Sequence, residues 1–371
     1  MDTDMSTENS NYFSSYEDLE VHRLMLEDDA RTATYRKAIL DNKSYFRGKI
    51  VMDVGCGTGI LSIFCAQAGA KKVYAIEASN IANLAKEIVK ANNFDNIIEV
   101  IHSKVEDVKL PDNLKVDAII SEWMGFYLLH EGMLDSVLTA RDMFLKEGGE
   151  IFPESAIIYV APCSVPSLYD KWENSYGVNL SSFARHLRSD KSSKPEIMQI
   201  NHEDLLGPEI ALNWINLRDD AVNDLDSYSV QHVLGANRSG RYQGLCVWFE
   251  CNFPVLDGEE RIILNTSPSS KLTHWKQTVI LLPEEQKVEK QEPIAFKLDM
   301  NRDGVSSRRY NLELTLLDPE EVEHPMPCSC HMTKCILVKA VMEQHTEHTI
   351  SQLQAGDSDV LQEDSIDDDD N

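Results

Sequence analysis

Nowhere in these 371 residues do eighteen apolar side chains follow one another, so no segment can span a membrane as a helix. Positive charge is scarce too: 35 Lys and Arg stand against 62 Asp and Glu, a formal net charge of −27. That deficit argues against direct grip on nucleic acid, whose phosphates would be repelled. It favours a basic partner such as a Lys/Arg-rich protein tail. The opening MDTDMSTENSN lacks the basic stretch and apolar run of a secretory signal, which predicts a cytosolic or nuclear protein. Neither an internal repeat nor a compact basic localisation cluster is evident. Eight cysteines in such a compartment are expected as reduced thiols. What is present, 42% apolar and 26% charged residues, is enough for a large core divided between two domains.

From Glu17 to Leu40, Leu19, Leu24, Leu26, Ala30, Ala33 and Ala38 recur at helical spacing and predict one or two amphipathic helices over an N-terminal segment, 1–46. The strand-like Lys49–Val54, the cluster Gly55-Cys-Gly-Thr-Gly59, an apolar helix stopping near Gly69 and the strand-like Lys72–Ile76 then follow in order. A helix near 80–92, strands near 97–102 and 116–121 and a helix near 131–146 continue the alternation. Strands separated by helices imply a doubly wound, Rossmann-like α/β domain over 47–152. Beyond Phe152-Pro153 the texture becomes short β-runs, such as Leu245–Phe253 and Tyr310–Leu317, which predicts an all-β barrel or sandwich over 153–318. A polar, aromatic-bearing insertion at about 165–195 reads as a contact arm.

The glycine cluster ends a strand and opens a helix, so the backbone can turn tightly and approach a ligand closely. Glu77 ends the next strand, where a carboxylate can accept from both ribose hydroxyls. Ile60 occupies the place of the third fingerprint glycine, which disfavours a pyrophosphate, and no hydride-transfer constellation lies nearby. NAD and S-adenosylmethionine both suit a glycine loop with a ribose acid; the phosphate-free S-adenosylmethionine suits this loop better. Glu106, after the third strand, can accept from an adenine amine.

The stretch SEWMGFYLLHEGML begins at the carboxyl edge of the fourth strand and carries Glu122 and Glu131, with no other charge between them. Two carboxylates among apolar neighbours lose hydration and repel each other, an arrangement that favours a cation held between them. A guanidinium is planar, permanently charged and able to take two bidentate partners. The structural alternative is a helix-capping Glu131 and a surface Glu122.

Taken together, strand–GCGTG–helix, the IEAS segment, SEWMGFYLLHEGML and Thr273-His-Trp275 resemble the protein arginine N-methyltransferases, from about Tyr12 to about Leu317. The resemblance implies a Rossmann-like domain followed by a β-barrel with a helical dimerisation arm, and a homodimer. It implies methyl transfer from S-adenosyl-L-methionine to arginines of basic proteins, histone tails and Arg-Gly segments among them, and favours nuclear residence. Tyr12 and Tyr16 match the aromatic pair of an N-terminal helix folding over cofactor and substrate. His22, Met25, Asp28 and Arg31 match a motif recurring every third residue, hence along one helix face, with His22 and Arg31 on the cofactor side. Arg31 would bind the cofactor's methionine carboxylate, Gly55 approach the cofactor, Glu77 hold its ribose and Glu106 lie near its adenine. Glu122 and Glu131 match the catalytic pair, His274 beside Trp275 would pair with Asp28 across the domains, and Met25 and Met124 match methionines of the type I class, which forms mono- and asymmetric dimethylarginine. Phe126 stands where many members carry tyrosine. An alternative of another class is a catalytically weak scaffold binding arginine-rich tails.

Beyond that core, Cys328-Ser-Cys330-His331-Met-Thr-Lys-Cys335 raises the possibility of zinc, but C-x-C-H-x3-C is not a common structural spacing. The expectation is no metal, and a flexible extension over 319–371 with incidental cysteines and an acidic end too charged to fold alone.

Overall fold

A computed structural model describes residues 16–169, 172, 174–256, 260–304 and 307–344. The N-terminal segment forms two helices, α1 (Leu19–Glu27) and α2 (Asp29–Asp41), and the short α3 (Lys43–Phe46). The expected single helix face breaks at Asp28, whose ψ of 90° lies outside helical space. Asp28 instead ends α1 and caps α2, its carboxylate accepting from the Arg31 amide at 3.0 Å. The predicted apolar stripe also fails on α1. Leu19, Leu24 and Leu26 are exposed there, and the buried residue is His22. On α2 the core side is set by Arg31, Tyr35, Ala38 and Ile39.

Parallel strands β1 (Ile50–Val54), β2 (Lys72–Glu77), β3 (Ile98–His102), β4 (Val116–Ile120) and β5 (Leu145–Phe152) lie in the order β3-β2-β1-β4-β5. Helices α4 (Ile60–Gln67), α5 (Ile81–Ala91) and α6 (Leu134–Phe144) make the crossovers. The sheet is buried because β1 and β4 are almost wholly apolar, as strands covered on both faces must be. β1 pairs with both β2 and β4, so the strand order reverses beside it, which puts the ligand-binding crevice of such sheets at the carboxyl ends of β1 and β4. β5 was not expected from LKEGGEIF, where two glycines and two glutamates mask an edge strand.

After the turn at Pro153 the chain becomes antiparallel. One sheet holds β6 (Ser155–Cys163), β7 (Glu196–Met198), β8 (Ile210–Asn216), β10 (Gly240–Asn252) and β12 (Gln277–Val288) in the order β7-β12-β10-β6-β8, with β11 (Ile263–Asn265) on β10. The second holds β9 (Ser227–Gly235), β13 (Pro293–Arg302) and β14 (Tyr310–Leu316) in the order β14-β13-β9. Leu245, Val247 and Phe249 of β10 and Phe296, Leu298 and Met300 of β13 alternate inward and join one core with the Rossmann-like sheet. The insertion carries α7 (Pro166–Tyr169) and α8 (Ser181–Lys191). Tyr169 packs with Trp248 and Val279 in a second cluster on the outer face of the large sheet. Among the described residues no helix is long and apolar enough to cross a membrane.

The chain beyond β14 departs from the flexible extension expected of it. Cys328, Cys330 and Cys335 are buried together, and residues 333–344 are helical. Residues 345–371, including the acidic end, lie outside the described residues.

Candidate active site

The carboxyl ends of β1, β2 and β4 open into a cavity of about 360 Å³. It is walled by the glycine loop, by α1 and by the hairpin bearing both glutamates. Gly55 and Gly57 take φ of +71° and +53°, where a Cβ is disfavoured. A Cβ on Gly55 would lie 2.2 Å from Met133 Cε, and one on Gly57 would touch the His22 ring at 3.4 Å. The loop therefore presents bare backbone to the cavity. Glu77 is buried beside it: Oε2 accepts from the Gly57 amide at 2.9 Å, and Oε1 from the amide and hydroxyl of Ser79 at 2.8 and 2.7 Å. A carboxylate has about four lone-pair positions, so one remains rather than the two needed to take both ribose hydroxyls independently. Glu106 sits exposed at the rim, accepting from Ser136 Oγ at 2.6 Å.

Both hairpin glutamates line the same cavity. Glu131 is not a helix cap, the structural alternative for it, because α6 starts three residues later, at Leu134, and has no side-chain cap. Its carboxylate instead takes the Tyr16 hydroxyl at 2.5 Å. Burial raises the Glu131 carboxyl above its ordinary pKa and the Glu122 charge adds to this, whereas the Tyr16 hydrogen bond and the Arg308 and His274 charges oppose it. Glu122 is no surface residue either: its side chain is 8% exposed and accepts from Arg31 Nε at 2.7 Å. Arg31 Nη1 donates to the Met25 carbonyl at 2.9 Å, which ties α1 to α2 over the cavity. The hairpin turns through Tyr127, Leu128 and Glu131 at φ of 44°, 75° and 80°, strain that side chains accept where tertiary contacts impose it.

Those contacts come largely from the barrel. Trp275 Nε1 donates to the Met124 carbonyl at 2.9 Å. Arg308 Nη1 donates to the Glu131 carbonyl at 2.6 Å, and the Glu131 amide donates to the Arg308 carbonyl at 2.8 Å. Arg302 forks onto Asp135 at 2.8 and 3.0 Å at the start of α6. His274 and Asp28 meet across the two parts of the chain: Nδ1 lies 2.7 Å from Oδ2, and the His274 amide donates to the same oxygen at 2.8 Å. A carboxylate only accepts, so Nδ1 carries the proton. Burial alone would raise the Asp28 pKa; the His274 and Arg31 hydrogen bonds outweigh it and hold the group below its ordinary value.

His22, Met25, Arg31, Gly55, Glu77, Glu106, Glu122, Met124, Glu131, His274, Trp275 and Tyr16 all line this one cavity. Asp28 stands behind it on His274, and Tyr12 lies outside the described residues. Sequence reasoning missed Arg308, Met133 and Ser136. Arg308 carries no local signal, since its role depends on the loop between β13 and β14, from the other end of the chain, meeting the hairpin.

Two families match the two halves: the ribosomal protein L11 methyltransferase family over residues 38–149, and the arginine methyltransferase oligomerization subdomain over residues 154–317. The Arabidopsis thaliana probable protein arginine N-methyltransferase 6 is 38% identical over 339 residues, covering 82% of this chain and 78% of its own. Protein arginine N-methyltransferase 6 of Danio rerio is 39% identical over 330 residues, covering 86% and 93%. Among solved structures, the Trypanosoma brucei PRMT1 enzyme–prozyme heterotetrameric complex with AdoHcy superposes with a TM-score of 0.72 at 33% identity, covering 84% of this chain and 98% of that one. Similarity of that extent, running through the cavity and the barrel that braces it, makes this chain a member of the protein arginine N-methyltransferase family.

Proposed function

We propose that this chain methylates arginine side chains of basic proteins, using S-adenosylmethionine. The observation that carries the proposal is the pair of largely enclosed carboxylates, Glu122 and Glu131, in one cavity with the glycine loop and Glu77. The residues present fit the cofactor. Bare backbone at Gly55 and Gly57 suits close approach of an adenosyl group, and Glu77 keeps a lone-pair position for a ribose hydroxyl. Glu106 at the rim suits an adenine amine. Arg31 spends Nε and Nη1 on Glu122 and Met25; among the described residues Nη2 makes no such bond, and it suits the methionine carboxylate. When bound, S-adenosylmethionine supplies an electrophilic methyl group on a sulfonium.

The chain's own part is positioning and charge. Glu122 and Glu131 offset the desolvation of a guanidinium and fix its plane by paired hydrogen bonds. Orientation of this kind contributes up to roughly 7–11 kcal/mol in favourable cases. Tyr16 restrains Glu131 from above, and the Arg308 backbone clamp restrains it from behind. Glu131, whose proton affinity burial raises, is placed to receive the proton an alkylated guanidinium sheds.

The finer assignment is a type I enzyme making mono- and asymmetric dimethylarginine, with Met25 and Met124 biasing which nitrogen is presented and histone tails or Arg-Gly segments as substrates. Working as a homodimer through the arm and residing in the nucleus belong to the same proposal. Incubation with labelled cofactor and a histone or Arg-Gly peptide, read by mass spectrometry, tests it. Wild type should transfer label to arginine, and Glu131→Gln should lose about a hundredfold or more, the scale of removing one electrostatic catalytic group. Transfer unaffected by Glu131→Gln would discard the carboxylate pair. Cofactor binding without transfer would favour the scaffold reading.

A further inference from the structure

We propose a structural zinc site in the chain beyond the barrel, formed by His324, Cys328, Cys330 and Cys335. One ligand atom from each of the four lies within 4.8 Å of every other. His324 Nδ1 is 3.4 Å from Cys330 Sγ and 3.1 Å from Cys335 Sγ. A tetrahedral zinc with Zn–S near 2.3 Å and Zn–N near 2.0 Å requires ligand atoms about 3.5–3.8 Å apart, so each separation needs to change by no more than about an ångström. Cys3His is one of the ligand sets that structural zinc uses.

The sequence directs attention to the wrong imidazole. His331, inside the cysteine cluster, is exposed, and its amide donates to the Gln291 carbonyl at 2.8 Å. The ligand is His324, giving the spacing H-x3-C-x-C-x4-C. Its far nitrogen settles the tautomer. Nε2 lies 2.7 Å from the Pro319 carbonyl, which can only accept, so Nε2 carries the proton and Nδ1 turns a lone pair toward the thiols. This outer hydrogen bond is the kind that orients metal-bound histidines.

A small apolar core does not account for the cluster. Among the described residues its buried members are the three cysteines alone, with Met332 the partly buried hydrophobic packed against them. The other five cysteines of the chain are buried elsewhere: Cys56 in the glycine loop, Cys65 in α4 and the rest in barrel strands. Three thiolates and zinc sum to one negative charge. Cys335 lies in the first turn of the helix over 333–344, whose positive end suits that charge. Lys334 is held on the same side by the Pro319 and Val322 carbonyls at 3.3 and 3.5 Å.

The site would pin the chain's exit to the barrel. Ser329 Oγ accepts from the Gly235 amide at 3.0 Å, and a Cβ on Gly235 would lie 2.5 Å from the Ser329 carbonyl oxygen, so β9 and the cysteine loop pack backbone to backbone.

Elemental analysis of the full-length protein, purified without chelator and dialysed, tests the site; we expect one zinc per chain. Cys330→Ser and His324→Asn should each lower zinc content at least tenfold. Because a variant can misfold, the wild-type protein is also stripped with chelator and titrated with Co(II), expecting thiolate-to-cobalt charge transfer and the intense visible bands of tetrahedral cobalt. Hydrogen exchange should then show protection of 319–344 restored by zinc, with 47–152 unchanged. Absence of stoichiometric zinc together with an octahedral cobalt spectrum would overturn the proposal. So would undiminished zinc in both variants, or a native mass two hydrogens short with a disulfide mapped among these cysteines.

Discussion

Glu131 shows how much one side chain depends on its neighbours. Alone among the hairpin's apolar residues it would be protonated at higher pH than an ordinary glutamate, because burial is the largest influence upon it. The Tyr16 hydroxyl, 2.5 Å away, pulls in the other direction. Tyr16→Phe should therefore move the acid limb of the kcat–pH profile to higher pH while reducing kcat about tenfold or more, the scale of a hydrogen bond to a charged group. A pH–rate profile checks this; an unmoved acid limb would mean that Glu131 is not the group titrating. The sequence made both glutamates legible because two carboxylates flanking an uncharged stretch are unusual. It could not show that Glu122 would be met by Arg31 or Glu131 by Arg308, since neither pairing has a local pattern.

At the scale of the element, the instructive case is the N-terminal helical segment. A regular recurrence of His22, Met25, Asp28 and Arg31 suggests one continuous helix face, yet the chain bends at Asp28. The bend is what lets a single carboxylate accept from the Arg31 amide and from His274 at once. Asp28→Ala should remove both, costing about 1 kcal/mol for the cap and a further 1–3 kcal/mol for the buried partners left unmade. Asp28→Asn, which keeps an acceptor oxygen, should cost distinctly less. Denaturant unfolding of the two variants distinguishes hydrogen bonding from charge: equal losses would assign the effect to the charge. Farther along the chain, glycine and glutamate hid β5, a strand that pairs with β4 at the edge of the parallel sheet.

Taken as a whole, the molecule braces a cofactor-type domain against a barrel, and the barrel carries an arm anchored through Tyr169 in the smaller cluster outside the main core. Tyr176, Val178 and Phe183 on the arm are exposed, an apolar group that suits a second copy of the chain. The double substitution Val178→Asp/Phe183→Asp should shift the solution mass by light scattering from two chains to one and reduce methyl transfer. A dimer that survives it would place the interface elsewhere. Composition and periodicity by themselves determined the parallel sheet, an all-β second part and the cavity's two ends, the glycine loop and the paired acids, because backbone freedom and charge patterning are local properties; the choice of a barrel over a sandwich came from the family resemblance. Only the tertiary structure decided that Arg308 clamps the hairpin, that Asp28 ends one helix and starts the next, and that His324 rather than His331 joins the three cysteines. Each of these depends on segments far apart in the chain, or turned by the fold, sharing one small volume, and distance through space is not written in the order of residues.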